Sequence, residues 1–148
     1  MNARASHHRA SAGFTLLEVL IAVLILAIGM LGVAAMQATS LKNSQGSLER
    51  SQATVLSYGI LDAMRANLTV ARAGTYNMGV TCTAPAAAGS LVSSDQNAWI
   101  TSLQSNIGAS ACGGIACAAG VCEVTVRWND QRATGGSTAQ ELRVRSRL

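Results

Sequence analysis

The stretch Gly13-Phe14-Thr15-Leu16-Leu17-Glu18 opens onto residues 19–36, VLIAVLILAIGMLGVAAM, which contain no charged and no polar side chain. At 1.5 Å rise per residue this run makes roughly 27 Å of helix, close to the hydrocarbon thickness of a bilayer. Gly29 and Gly32 interrupt it. In a soluble helix each would cost up to about 1 kcal/mol against alanine. In membrane helices small residues are common, because they let helices approach closely. Glu18 sits at the mouth of the run. An unpaired carboxylate beside hydrocarbon is costly, so its position asks for a partner.

Working outward, residues 1–13 carry Arg4, Arg9, His7 and His8 and no acid. Basic residues on that side predict an N-terminus held in the cytoplasm, with the rest of the chain across the membrane. A secretory signal cleaved near Ala34-Ala35 is a rival reading, but it leaves Glu18 unexplained. The 148 residues suffice for one domain plus an extra segment. Net charge is +4; without Arg4 and Arg9, nine basic and seven acidic side chains remain. That balance is too mild to imply nucleic-acid binding.

Residues 41–68 continue the helix. Leu41, Leu48, Val55, Leu56, Ile60, Leu61, Met64 and Leu68 recur at helical spacing and predict one apolar face. Lys42, Glu49, Arg50, Asp62 and Arg65 fall mainly off it, and Asp62 and Arg65 are spaced for a weak ion pair. No proline interrupts residues 14–68, so the expectation is one helix of about fifty residues, with Gly46 and Gly59 as soft points. Gly74 is placed to end the helical region. Residues 75–98, rich in Gly, Ala, Ser and Thr and holding the only proline, read as a loop. Residues 99–103 read as a short helix capped by Asp95.

Two segments alternate like strands. In residues 122–128, Val124, Val126 and Trp128 share one face, and Glu123, Thr125 and Arg127 the other. In residues 141–148, Leu142, Val144 and Leu148 oppose Arg143, Arg145 and Arg147. The connector 129–140 carries Asn129-Asp130 and Gly135-Gly136, which are turn chemistry. A weaker strand is expected at 114–117, turning through Ala118-Ala119-Gly120. Gly113-Gly114 also reads as a turn. A two-stranded ribbon is marginal alone, so the pair must pack on the amphipathic half of the helix. The fold class expected is α+β: a long N-terminal α-helix, hydrophobic in its first half, packed against a small C-terminal antiparallel sheet.

The basic leader, the Gly13-Phe14 junction, Glu18 and the apolar helix, in that order, resemble a type IV prepilin signal. The resemblance implies cleavage after Gly13 by a prepilin peptidase and N-methylation of Phe14. Glu18 then becomes the family's assembly glutamate, poised to meet the amine of Phe14 on a neighbouring subunit. Such a pair in low dielectric fixes register, because leaving either charge alone is punished. Gly13-Phe14-Thr15-Leu16-Leu17-Glu18-Val19-Leu20-Ile21-Ala22 and Ile28-Gly29-Met30-Leu31-Gly32-Val33-Ala34-Ala35-Met36-Gln37 look like the PilV group of minor pilins. So do Ile60-Leu61-Asp62-Ala63-Met64-Arg65-Ala66-Asn67 and Cys122-Glu123-Val124-Thr125-Val126-Arg127-Trp128-Asn129-Asp130.

The resemblance implies a cleaved leader at 1–13, a transmembrane and filament-core helix at 14–38, an amphipathic half at 39–73 and a globular head at 74–148. It implies a structural protein of pilus assembly rather than an enzyme. The implied partners are other minor and major pilins, the prepilin peptidase, the inner membrane and a tip adhesin. The head would lie in the periplasm before assembly and on the pilus afterwards. A type II secretion minor pseudopilin of the GspI kind shares the signal and the helix. A DNA- or surface-binding pilin, acting through Arg127, Arg143, Arg145 and Arg147, is a further alternative. The plainer reading of those arginines is a solvated strand face that guards against aggregation.

Cys82, Cys112, Cys117 and Cys122 all follow the apolar run. Their spacing lacks the paired knuckles of structural zinc, and their compartment favours disulfides. The favoured pairing is Cys117 with Cys122 across a tight turn and Cys82 with Cys112 closing the variable loop. Cys82 with Cys122 is the rival. Both histidines lie in the leader, so after its removal no His-dependent nucleophile or metal site remains. No catalytic residue, metal or cofactor is expected. Trp99 and Trp128 read as core or subunit-contact residues.

Overall fold

The computed structural model describes residues 13–148; the leader residues 1–12, with His7, His8, Arg4 and Arg9, lie outside the described residues. The element order is α1 (Leu16–Ala66), α2 (Leu68–Arg72), β1 (Met78–Thr81), α3 (Leu91–Asn106), β2 (Cys112–Ala118), β3 (Val121–Trp128) and β4 (Gln140–Arg147). The four strands form one antiparallel sheet in the order β1-β2-β3-β4. This is the α+β arrangement expected from the sequence. The chain divides into two compact units, with the boundary between Ala38 and Thr39.

Among the described residues of the first unit none is buried. Every large apolar side chain from Phe14 to Met36 is exposed, with Leu16 at 91% and Met36 at 75%. Covering such side chains is worth roughly 1.5–3 kcal/mol each. Tens of kcal/mol of burial are therefore available to whatever surrounds this helix.

The second unit has its own core. From α1 it takes Ala53, Ile60, Leu61 and Met64; from α3, Trp99, Ile100 and Leu103; from the sheet, Ile115, Cys122, Val124, Val126 and Trp128. The buried face of α1 keeps Ile60, Leu61 and Met64 of the expected stripe but not its first half. Leu41, Leu48 and Val55 are 68%, 59% and 64% exposed, whereas Gly46, Ala53 and Ser57 are buried. At about 100° per residue, Leu41, Leu48 and Val55 project from the side of the helix opposite Ala53, Ser57 and Met64. Small residues let the rest of the unit come close, and Ser57 satisfies its hydroxyl on the Ala53 carbonyl at 2.7 Å. Neither Gly46 nor Gly59 breaks the helix. A Cβ on Gly46 would stand 3.0 Å from both Ala133 Cβ and Asp130 Oδ1, so this glycine is where the β3–β4 loop docks.

The helical region ends in two steps. α1 stops at Ala66, Asn67 leaves helical geometry with φ −120° and ψ 49°, and α2 adds one short turn. Gly74, at φ +80°, then closes it.

The segment expected as loop holds more order than its composition suggests. β1 lies within it, and α3 runs Leu91–Asn106 rather than 99–103. The cap of α3 is Ser90, not Asp95. The Ser90 side chain accepts from the Ser93 N–H at 3.1 Å, and Ser93 Oγ accepts from the Ser90 N–H at 3.3 Å. Asp95 instead accepts from the Tyr76 hydroxyl at 2.6 Å. Burial, and after it this bond to Asp95, pushes the Tyr76 phenol above its ordinary value.

β2 is longer than the expected 114–117, and Gly113-Gly114 lies inside it rather than in a turn. A Cβ on Gly113 would come within 2.6 Å of the Trp99 ring, and one on Gly114 within 2.9 Å of Val80 Cγ2. Packing, not backbone reversal, requires these glycines. The reversal falls at Ala119 and Gly120, both left-handed at φ 49° and 76°, as a two-residue hairpin turn demands. β4 is one residue earlier than expected. Leu148 lies beyond it and donates its N–H to the Gly120 carbonyl at 3.0 Å.

Candidate functional site

Gly13, Phe14 and Thr15 precede α1, which starts at Leu16. Thr15 is the cap: its hydroxyl accepts from the Glu18 N–H at 3.2 Å, and its carbonyl accepts from Glu18 N–H at 3.1 Å and Val19 N–H at 3.3 Å. Glu18 is thus the third residue of the helix, where unpaired N–H groups favour a negative charge. The spacing Thr15-x-x-Glu18 is that of a capping box, a signal present in the sequence and overshadowed by the apolar run beside it. Among the described residues no cation pairs with the Glu18 carboxylate. Phe14, 83% exposed, lines an open groove with Glu18, Val19, Ala22, Val23 and Leu26. The structure therefore brings Phe14 and Glu18 to one apolar surface at the start of the helix.

The cysteines form two disulfides. Cys82 joins Cys112, with Cα atoms 4.1 Å apart, and ties the end of β1 to the start of β2. Cys117 joins Cys122, with Cα atoms 4.0 Å apart, between directly opposed positions of β2 and β3. Cys82 with Cys122 does not form, and no thiolate is left to ligate a metal.

Arg127, Arg143, Arg145 and Arg147 lie on one face of the sheet, but acids alternate with them. The Glu141 carboxylate accepts from Arg127 at 2.7 Å and from Arg143 at 2.6 Å. Glu123 faces Arg143 at 3.3 Å and Arg145 at 3.5 Å. Hydrogen bonds from Arg127 and then Arg143 hold Glu141 below the usual carboxylate range. The stripe is a ladder of both signs with an excess of arginine.

A second polar cluster went unseen in the sequence, where Asp130 reads as a turn residue. Asp130 is only 3% exposed and faces Arg50 of α1 at 3.6 Å. Nearby, Arg132 meets Glu49 at 3.3 Å and the Thr134 N–H donates to Asn43 Oδ1 at 3.2 Å. These contacts clasp the β3–β4 loop onto the helix. Trp99 and Trp128 are both core residues; Trp99 Nε1 donates to the Leu56 carbonyl at 3.1 Å.

Residues 8–34 match the family model described as the prokaryotic N-terminal methylation motif. The match covers part of the leader and most of the apolar run, and it stops before the second unit. No curated protein and no solved structure matches the chain. The motif supports a type IV pilin-like or pseudopilin protein, and with the apolar helix it fits membrane anchoring before assembly.

Proposed function

We propose that this chain is a minor pilin of the PilV kind, acting in initiation and assembly of the type IV pilus fibre and at its tip. One observation carries the reading: the Glu18 carboxylate, held three residues into a helix whose large apolar side chains are all exposed as far as Met36, directly after Gly13-Phe14. Residues 1–13 are removed by a prepilin peptidase and Phe14 is N-methylated. Residues 14–38 lie in the inner membrane and later in the filament core among other pilins. Residues 39–73 are the amphipathic half of the helix, and 74–148 form the head, which faces the periplasm and then the cell exterior near a tip adhesin. The role is structural and uses no cofactor.

The two segments beyond the signal that resemble the PilV group support this assignment, since they are core-forming. Ile60, Leu61 and Met64 in one, and Cys122, Val124, Val126 and Trp128 in the other, are buried in the same cluster. The DNA-binding alternative loses ground, because Glu123 and Glu141 interleave the arginines that would meet phosphates.

Glu18→Ala and Glu18→Gln test the assembly role. Both are expected to lose the leader normally on immunoblots and to be absent from sheared surface fibres. Glutamine keeps the shape and helix propensity but removes the charge. Incorporation of Glu18→Gln at the native level would show that Glu18 serves only the helix start, and would overturn the charge-pair mechanism.

A further inference from the structure

The sheet has two unlike edges. β1 has four residues and an irregular register against β2, and the Cys82–Cys112 disulfide pins its end. Beyond β1, the side chain of Asn77 serves as a substitute strand for β2: Nδ2 donates to the Cys117 carbonyl at 3.2 Å, and Oδ1 accepts from the Cys117 N–H at 2.7 Å. That edge is short and irregular. β4 has eight residues, pairs with β3 along its whole length and, among the described residues, has no strand on its other side.

Alternation sets which groups the open edge offers. Leu148 points its N–H toward β3, so the even-numbered residues of β4 pair inward. Glu141, Arg143 and Arg145 therefore direct their backbone N–H and C=O groups outward; the Arg147 carbonyl is partly taken by the Ser146 hydroxyl at 3.3 Å. The same residues put Arg143, Arg145 and Arg147 on the exposed face. A second copy pairing through this edge would set arginine beside arginine, and like charges directly opposite are destabilising. The edge thus rejects its own kind; Arg127, Arg143, Arg145 and Arg147 outnumber Glu123 and Glu141 on that face, and this excess, interleaved with acids, suits a short acidic strand rather than a continuous phosphate backbone.

We infer that β4 is a docking edge for an extended segment of another protein, added as a fifth strand, with acidic residues opposite Arg143 and Arg145 and none opposite Glu141. Main-chain hydrogen bonds supply the affinity and the arginines set sign and register. This surface does not depend on how Glu18 acts, so the two readings fail separately.

The test uses the full chain in detergent micelles and two synthetic ten-residue threonine peptides, one with Glu at two alternate positions and one with Lys at those positions. Amide hydrogen exchange is followed residue by residue. The acidic peptide is expected to slow exchange at Glu141, Arg143 and Arg145, and the basic peptide to leave it unchanged. Arg145→Pro removes one outward donor at an edge position that tolerates proline, so the fold should persist and the protection should vanish. Arg145→Gln keeps the donor and should weaken binding about two- to five-fold, the range of one cross-strand charge pair. Retained thermal unfolding of Arg145→Pro confirms that fold loss is not the cause. No protection at low salt, equal protection by both peptides, or unaltered protection in a folded Arg145→Pro would each overturn the inference.

Discussion

Along α1, residues 16–36 expose every large apolar side chain, whereas residues 53–64 sink Ile60, Leu61 and Met64 into a core. The sequence is more hydrophobic where nothing is buried. Hydrophobicity therefore measures demand for cover, and the second unit meets that demand from its own sheet and α3. The first stretch finds no cover among the described residues, which fits membrane anchoring.

The sharpest way to break this contrast is a pair of truncations in the same helix. Leu61→Ala removes a fully buried side chain and should cost about 2–5 kcal/mol in denaturant unfolding of the chain in micelles. Leu24→Ala, with 56% exposure, should change that stability by less than about 0.5 kcal/mol. Equal losses would mean that the two stretches are not energetically distinct. A smaller effect separates the glycines. Gly113→Ala drives a methyl into Trp99 and Ile100 and should cost about 1–3 kcal/mol. Gly29→Ala meets nothing within its own chain and should be neutral or stabilise by up to about 1 kcal/mol.

The smallest effect is a titration. Glu141 should ionise below the ordinary carboxylate range in an NMR pH series, because Arg127 and Arg143 hold its anion. A depressed carboxylate contributes stability above its unfolded value, and that contribution is lost as pH falls through the folded one. The side chain is solvated, so the midpoint and not the stability is the readout. Arg127→Gln should move the midpoint upward.

How much of this was legible follows from the physics of each segment. Residues 19–36 are plain because they hold no polar side chain at all, and 122–128 because apolar side chains mark every buried position. Of the expected α1 face only Ile60, Leu61 and Met64 are buried, because the earlier contacts are made by Gly46, Ala53 and Ser57, which are small and carry no hydrophobic signal. α3 was cut short because Ser90 and Ser93 cap it reciprocally without the usual acid, and its first two turns are mostly polar. β1 was missed because Met78-Gly79-Val80-Thr81 is too short to show alternation. At the site, Phe14 and Glu18 are evident from the motif, but Thr15 is not, since its capping-box spacing to Glu18 is overshadowed by the apolar run. Asp130 was hidden for the opposite reason: its partners lie about eighty residues away on α1.

The Cys82–Cys112 bridge has a last consequence, for how the molecule withstands attack. Residues 86–90 are exposed and lie between the two cysteines, where a protease would find an accessible stretch of backbone. A single cut there yields two polypeptides that remain one covalent object until a reductant is added. A nicked chain would hold together.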